Sequence, residues 1–294
     1  MQITPYHLTA AAAVGSTPLV VDSPHSWLEW PASTPTIAPA SALRRTCDAF
    51  VDAIWAEATG ARVPVLAARF HRAWADVNRA PDDIDAELLA APWPQPLRPT
   101  VKSGRGQGLV WRDSQPGVPL YAGPLALHDV RQRLDGYYVP YRNELARLFD
   151  ETQRGQGFVC HINAHSMKSV GNGMNDDAGR RRPDIVLSDR DGASAVPRVV
   201  QALASPLRAL GLQVWINHPY KGGDILGTFG DPARGRHSVQ VEINRNLYMD
   251  EATVSSHAGY PQLVQALRRA VDELSAQLAD ELGRALLPDG ASRL

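Results

Sequence analysis

The chain has 294 residues, 44% hydrophobic and 21% charged, with a formal net charge of -1, a composition ordinary for a globular protein. That balance leaves no electrostatic footprint for nucleic acid or for an anionic membrane surface, and the one basic run, Arg180-Arg181-Arg182, is too short to supply one. Two cysteines, Cys47 and Cys160, with no CxxC, exclude a disulfide framework and a cysteine-built zinc site and fit a reducing, cytoplasmic setting.

The N-terminal stretch lacks the basic start and long apolar run of a signal peptide, and no segment is long enough to cross a bilayer. Residues 18–22, Pro-Leu-Val-Val-Asp, read as a first buried strand running into a loop with His25 and Glu29. Helical spacing begins at Ser41 and is stopped by Gly60. Residues 62–68 form a second strand, followed by a segment dense in polar groups, Arg69 to Arg79. From 80 to 126 the chain turns to Pro, Gly and Asp with little periodicity, an excursion of the length that usually serves function. A helix over 127–152 returns it to the strand at 157–165.

In that strand Phe158, Cys160, Ile162 and Ala164 fall on one face and Val159, His161, Asn163 and His165 on the other. Residues 167–193 are again loop-rich. A helix over 197–210, a strand over 212–217 and a glycine-rich loop over 219–235 follow. Residues 238–244 alternate, with Val239, Val241 and Ile243 turned inward and Ser238, Gln240 and Glu242 opposite. Leu263, Leu267, Val271, Leu274, Leu278 and Leu282 stripe a helix over 261–287. Strands alternating with helices predict an α/β fold in three layers, a mostly parallel or mixed central sheet with helices on both faces. One domain over 1–294 is expected, because no stretch resembles a linker.

Four groups of residues sit at strand ends or in the adjoining loops. His25 with Glu29 offers an imidazole and a carboxylate four apart, and His165 a second imidazole, which together make a catalytic zinc set. The bland alternatives are a capping histidine beside a surface glutamate and a satisfied core histidine. Arg79 suits bidentate capture of a carboxylate, its ordinary alternative being an ion pair with Asp76. Glu242, a carboxylate inside an apolar strand, is either paired with Arg245 or Arg79 or used as a base. Together they describe a zinc-dependent hydrolase in which Glu242 activates water, Arg79 holds an anionic substrate and the loop with Lys221 closes over it. There is no GxSxG, no P-loop and no dinucleotide fingerprint.

The order of these pieces resembles the N-formylglutamate amidohydrolase family, itself similar to the zinc carboxypeptidases and aspartoacylases. Pro24 to Pro31 is similar to that family's PHxGxExP, Asp48 to Asp52 to its acidic segment, and Arg69 to Arg79 to its RYSRYVVDLNRP. Asn163-Ala164-His165-Ser166 resembles its DAHS, and Arg182-Pro183-Asp184, Lys221-Gly222-Gly223 and Gln240 to Glu251 follow in place. The resemblance implies His25, Glu29 and His165 as metal ligands, with Asp48 and Asp52 open as the acidic ligand instead of Glu29. It implies Asn78, Arg79, Arg72 and Lys221 at the substrate and Glu242 as general base. The expected reaction is cleavage of an N-acylated acidic amino acid, N-formyl-L-glutamate first, in histidine degradation. The rivals are a related metallo-carboxypeptidase or deacylase and a non-catalytic binding protein of the same fold. Trp27 and Asn163 stand where that family has glycine and aspartate.

Overall fold

The structure is a computed structural model that describes residues 4–10, 13–60, 62–115, 117–173 and 177–287; parts of both expected excursions, residue 116 and residues 174–176, lie outside the described residues. The chain runs through β1 (Tyr6–Thr9), β2 (Leu19–Ser23), α1 (Ala40–Arg44), α2 (Val51–Thr59) and β3 (Val65–Ala68). The long excursion then carries α3 (Val101–Gly104), the hairpin strands β4 (Asp113–Gln115) and β5 (Val118–Pro119), and α4 (Leu127–Arg133). Next come α5 (Val139–Gln156), β6 (Val159–Met167), β7 (Ile185–Ser188), α6 (Pro197–Ala209), β8 (Val214–Ile216), α7 (Asp224–Phe229) and β9 (Arg236–Asn244). The small pair β10 (Met249–Asp250) and β11 (Ser255–Ser256) precedes α8 (Gly259–Ala279) and α9 (Glu281–Ala285).

Seven strands form one sheet in the order β1-β3-β2-β6-β9-β7-β8. The four central-to-left strands β3, β2, β6 and β9 are parallel, whereas β1 pairs antiparallel with β3, and β7 antiparallel with β9. The sheet is therefore mixed, with helices on both faces. On one face Phe158, Cys160, Ile162, Ala164, Val239, Val241 and Ile243 pack against α2, α6 and α8 in a continuous apolar core. Each such aliphatic side chain contributes about 1.5–3 kcal/mol when fully buried. On the other face Val20, Leu66 and Val159 pack against α5, but toward the carboxyl ends of the parallel strands this face turns polar. There the register sets Asp22 beside Asn163 and Asn163 beside Gln240, and, one row further, His165 beside Glu242. Period-two alternation in the sequence is what sends these groups to that face.

Several elements differ from the sequence reading. The helix expected over 41–60 is broken into α1 and α2, and Phe50 sits in the break with φ 68°. The helix expected over 127–152 contains a π-turn at Leu134–Tyr138. Pro140, one turn on, cannot donate its share of an α-helical ladder and its ring crowds the carbonyl four residues back, which such a turn relieves. Strands β1 and β7 are additional, each only four residues long and so too short to show a period. Among the described residues no helix is long and apolar enough to cross a membrane.

Candidate active site

β2, β6 and β9 run in one direction and end at the same edge of the sheet. His25 follows β2, His165 lies near the end of β6 and Glu242 near the end of β9. The break between α1 and α2 carries Asp48 to the same edge, where its amide donates to the His25 carbonyl at 2.9 Å. The turn after β3 brings Asp76, Asn78 and Arg79. All of these but Asp76, which lies behind His25, surround a cleft of about 520 Å³ that also takes in Lys102, Arg182, Tyr220 and Arg245, a size usual for a small-molecule site.

At the floor of the cleft three donor atoms converge. His25 Nδ1 lies 3.2 Å from His165 Nδ1, and Asp48 Oδ2 lies 3.0 Å from His165 Nδ1 and 3.6 Å from His25 Nδ1. All three residues are buried, and they are the group of ligand-type side chains among the described residues that can hold a metal ion. Donors about 2.0–2.1 Å from a tetrahedral zinc lie roughly 3.3 Å apart, so the set fits one such ion. The proton assignments agree. His25 Nε2 is 2.7 Å from Asp76 Oδ1, an acceptor, so its proton sits on Nε2 and the Nδ1 lone pair faces inward. His165 Nε2 is 2.8 Å from Asn163 Oδ1, which likewise accepts; the longer contact is to Asn78 Nδ2 at 3.1 Å. Two imidazole lone pairs and a carboxylate oxygen facing one another can hold a cation between them.

The surroundings keep that set charged correctly. Burial alone would raise the Asp48 pKa, but the Arg72 guanidinium and the bonds to His165 and His25 hold it well below the usual carboxylate range. Arg72 and Arg245 both reach its other oxygen, Oδ1, at 3.4 and 3.0 Å, leaving Oδ2 to the histidines. For Asp76, burial is likewise outweighed by His25 and Arg72, and its carboxyl lies far below the ordinary value. At His165 burial works to lower the pKa, yet the Asp48 hydrogen bond and the Glu242 charge hold it above normal. A proton thus competes with a metal for the same lone pair.

Behind the site lies a second buried network. Asn163 Nδ2 donates to Asp22 Oδ1 at 2.6 Å, Tyr141 donates to Asp22 Oδ2 at 2.8 Å, and His161 bridges Asp22 at 2.9 Å and Ser238 at 2.8 Å. Asp22, His161 and Ser238 are arranged like a hydrolytic triad, but all three are sealed from solvent, and so serve the fold. Through Asn163, the Asp22 carboxylate reaches His165.

Of the residues singled out in the sequence, His25, His165, Glu242, Asn78, Arg79, Arg72 and Lys221 all line the cleft. Glu29 does not: it is solvent-exposed, and the carboxylate brought to the two histidines is Asp48. Asp52 stands in the first turn of α2, where burial raises its pKa. Neither ordinary pairing considered for the basic and acidic residues is present. Arg79 donates to the Gln107 carbonyl at 3.0 Å, not to Asp76. Glu242 accepts from Gln240 Nε2 at 2.8 Å, with no ion-pair partner among the described residues, while Arg245 goes to Asp48. Lys221 sits at the rim, paired with Asp191 at 2.7 Å. The sequence reading names Asp76, Arg182 and Gln240 without giving them a role in the site, and does not single out Lys102. Gln240 shares the phase of Glu242 and was findable; Lys102, alone in an aperiodic excursion, was not.

A sequence profile of the N-formylglutamate amidohydrolase family matches residues 17–249. The chain is 28% identical over 275 residues to the N-formylglutamate deformylase of Pseudomonas aeruginosa, covering 90% of this chain and 93% of that one. It is 29% identical over 242 residues to the enzyme of the same name from Pseudomonas putida, covering 81% and 84%. Among solved structures, the N-formylglutamate amidohydrolase of Ralstonia eutropha superposes with a TM-score of 0.86 at 34% identity, over 96% of this chain and 100% of that one. A gene product of Agrobacterium tumefaciens shares the fold, with a TM-score of 0.66 at 17% identity over 93% and 97%.

Proposed function

Because the chain belongs to the N-formylglutamate amidohydrolase family, we propose that it hydrolyses N-formyl-L-glutamate to L-glutamate and formate. The observation that carries this reading is the convergence of His25, Asp48 and His165 beside Glu242, a carboxylate without a counter-cation, in a cleft rich in arginine and lysine. In this reading those three residues hold one divalent metal, zinc in the first instance, in a cytoplasmic enzyme whose two cysteines are free. A metal bound there supplies Lewis acidity to the attacking water and the amide carbonyl.

The remaining work falls to the chain. Glu242 takes a proton from water as its oxygen adds to the formyl carbon, and passes that proton to the amide nitrogen as the C–N bond breaks, leaving a neutral amine and formic acid, which ionises to formate by losing its proton to solvent. Arg79, steered by the Gln107 carbonyl, takes the α-carboxylate, with Asn78 beside it. Arg72 stays on Asp48 and Asp76 and keeps the floor of the site neutralised. Lys221 and the loop around it form the rim.

The test is metal content by plasma mass spectrometry on protein purified without a metal-affinity tag, together with hydrolysis of N-formyl-L-glutamate before and after chelation. About one metal per chain, with turnover lost on chelation and restored by zinc, is the expected result. Turnover unaffected by removal of all metal would overturn the mechanism, and metal without turnover would overturn the substrate.

A further inference from the structure

Most cations around the cleft already have counter-charges. Arg72 faces Asp48 at 3.4 Å and Asp76 at 3.6 Å, Arg182 grips Asp177 through two bonds of 2.6 and 2.8 Å, and Arg245 faces Asp48. Lys102, like Arg45 and Lys168 at the cleft's other edge, is different: among the described residues no carboxylate lies within 4.0 Å of its charged group. The residue is open to solvent, yet its Nζ is drawn into the cleft, 5.9 Å from the centre of the Tyr220 ring. Burial and the neighbouring Arg79 and Arg72 guanidiniums pull its pKa down to about 8, with Glu242 and Asp76 acting more weakly the other way. Arg79 is also short of charge, its nearest carboxylate being Asp83 at 4.0 Å.

Lys102 and Arg79 are built as a pair. Asp83 accepts from both the amide and the hydroxyl of Thr100, at 2.8 and 3.1 Å, while standing 4.0 Å from Arg79. Thr100 caps the short turn α3 on which Lys102 sits. Gln107 joins them again, its amide donating to the Lys102 carbonyl at 2.8 Å and its carbonyl accepting from Arg79 at 3.0 Å. Two adjacent cations held in fixed relation, with Asp83 at 4.0 Å from Arg79 as the one carboxylate within ion-pair range of either among the described residues, repel each other until a ligand brings further negative charge.

We infer that Lys102 is the residue that selects an acidic side chain: with Arg79 on the α-carboxylate, its ammonium receives the second carboxylate of an N-acyl acidic amino acid. This rests on the amidohydrolase reading. It explains how the leaving amino acid is recognised, which the metal site and Glu242, acting on the amide alone, do not address. A glutamine side chain, equal in size to glutamate but neutral, leaves the ammonium unmatched. A proton-binding equilibrium near pH 8 on Lys102 also means that affinity for the dianion falls above that pH.

The experiment compares kcat/KM for N-formyl-L-glutamate and N-formyl-L-glutamine in the metal-loaded full chain, in wild type, Lys102→Met and Lys102→Arg. Lys102→Met is expected to lower the value for the glutamate substrate by about tenfold or more, through KM, and to change the glutamine substrate by less than about threefold. Lys102→Arg is expected to restore the preference and to abolish the decline above pH 8. Equal losses on both substrates, or an intact preference in Lys102→Met, would overturn the inference. Should wild type hydrolyse neither, the amidohydrolase reading falls on its own, and calorimetric binding of glutarate decides for Lys102. Weaker binding in Lys102→Met supports it; unchanged binding overturns it.

Discussion

The Glu242 carboxylate stands in the cleft on one hydrogen bond, from Gln240, and so is free to exchange a proton with water. Glu242→Gln keeps that shape while removing the base. It is expected to lower kcat by about 10²-fold or more with metal content and melting temperature unchanged, measured by steady-state kinetics beside mass spectrometry; near-normal turnover would take Glu242 out of the mechanism. Asn163 poses a subtler question. Its amide passes the charge of Asp22 to His165, doing at one remove what a carboxylate at 163 would do directly. Asn163→Asp would set two carboxylates about where a 2.6 Å hydrogen bond now lies. It is expected to weaken zinc binding about tenfold or more in a chelator competition, although aspartate is the residue of the family's own pattern. Tighter binding would show that Asp22 is not the source of the charge. At this scale the sequence was most readable on the strands, where phase alone put His165 and Glu242 on one face. His25 came with its strand end. Asp48 was harder, because four-residue spacing favours Glu29 and only the kink at Phe50 turns Asp48 inward.

Elements were legible in proportion to their length and regularity. The helix expected over 261–287 has a long apolar stripe, and α8 and α9 follow it with a break at Asp280. Residues 41–60 have the composition of one helix, and nothing local announces that Phe50 adopts a left-handed conformation packed edge-on against Tyr248 and Tyr260; long-range packing decides it. The glycine-rich loop after β8 has an explanation of the same kind. A Cβ on Gly223 would fall 2.4 Å from Asn78 Oδ1 and 2.5 Å from its Nδ2, and the Gly223 amide donates to Gln240 at 3.0 Å. Glycine is required there by close approach. Gly223→Ala is expected to push Asn78 off His165 and the Ile225 amide, lowering turnover about tenfold while thermal stability changes little. A large fall in melting temperature with normal kcat would mean that the contact serves the fold alone.

Across the whole molecule, two buried histidines outside the metal set shape the response to acid. Burial lowers His71 and His237 to about pH 4, below the ordinary value near 6.5. His237 has no hydrogen-bond partner on either nitrogen among the described residues. As pH falls, the unfolded chain takes up these two protons first. The contribution of these two histidines is therefore flat above about pH 6.5 and declines from there to about pH 4, by roughly 2–3 kcal/mol for each histidine. Urea unfolding followed between pH 7 and 4 is expected to show this slope, and His237→Leu to reduce it. An unchanged slope in that variant would mean that His237 is already protonated when folded. The mixed three-layer sheet was legible because alternation of strands and helices dictates it; the reversed direction of β7 was not, since four residues carry no mark of direction.

In the proposed mechanism, breaking the amide and choosing the amino acid fall to different parts of the chain. His165 and Glu242 are fixed by strand register, which a one-residue slip would invert, and His25 follows directly on the end of β2. Lys102 rides instead on the long connection between β3 and α5, where added length costs little in closure entropy. A lineage can therefore exchange that connection, and with it the amino acid it prefers, while inheriting the hydrolytic apparatus intact; for the protein engineer, it is the segment to graft.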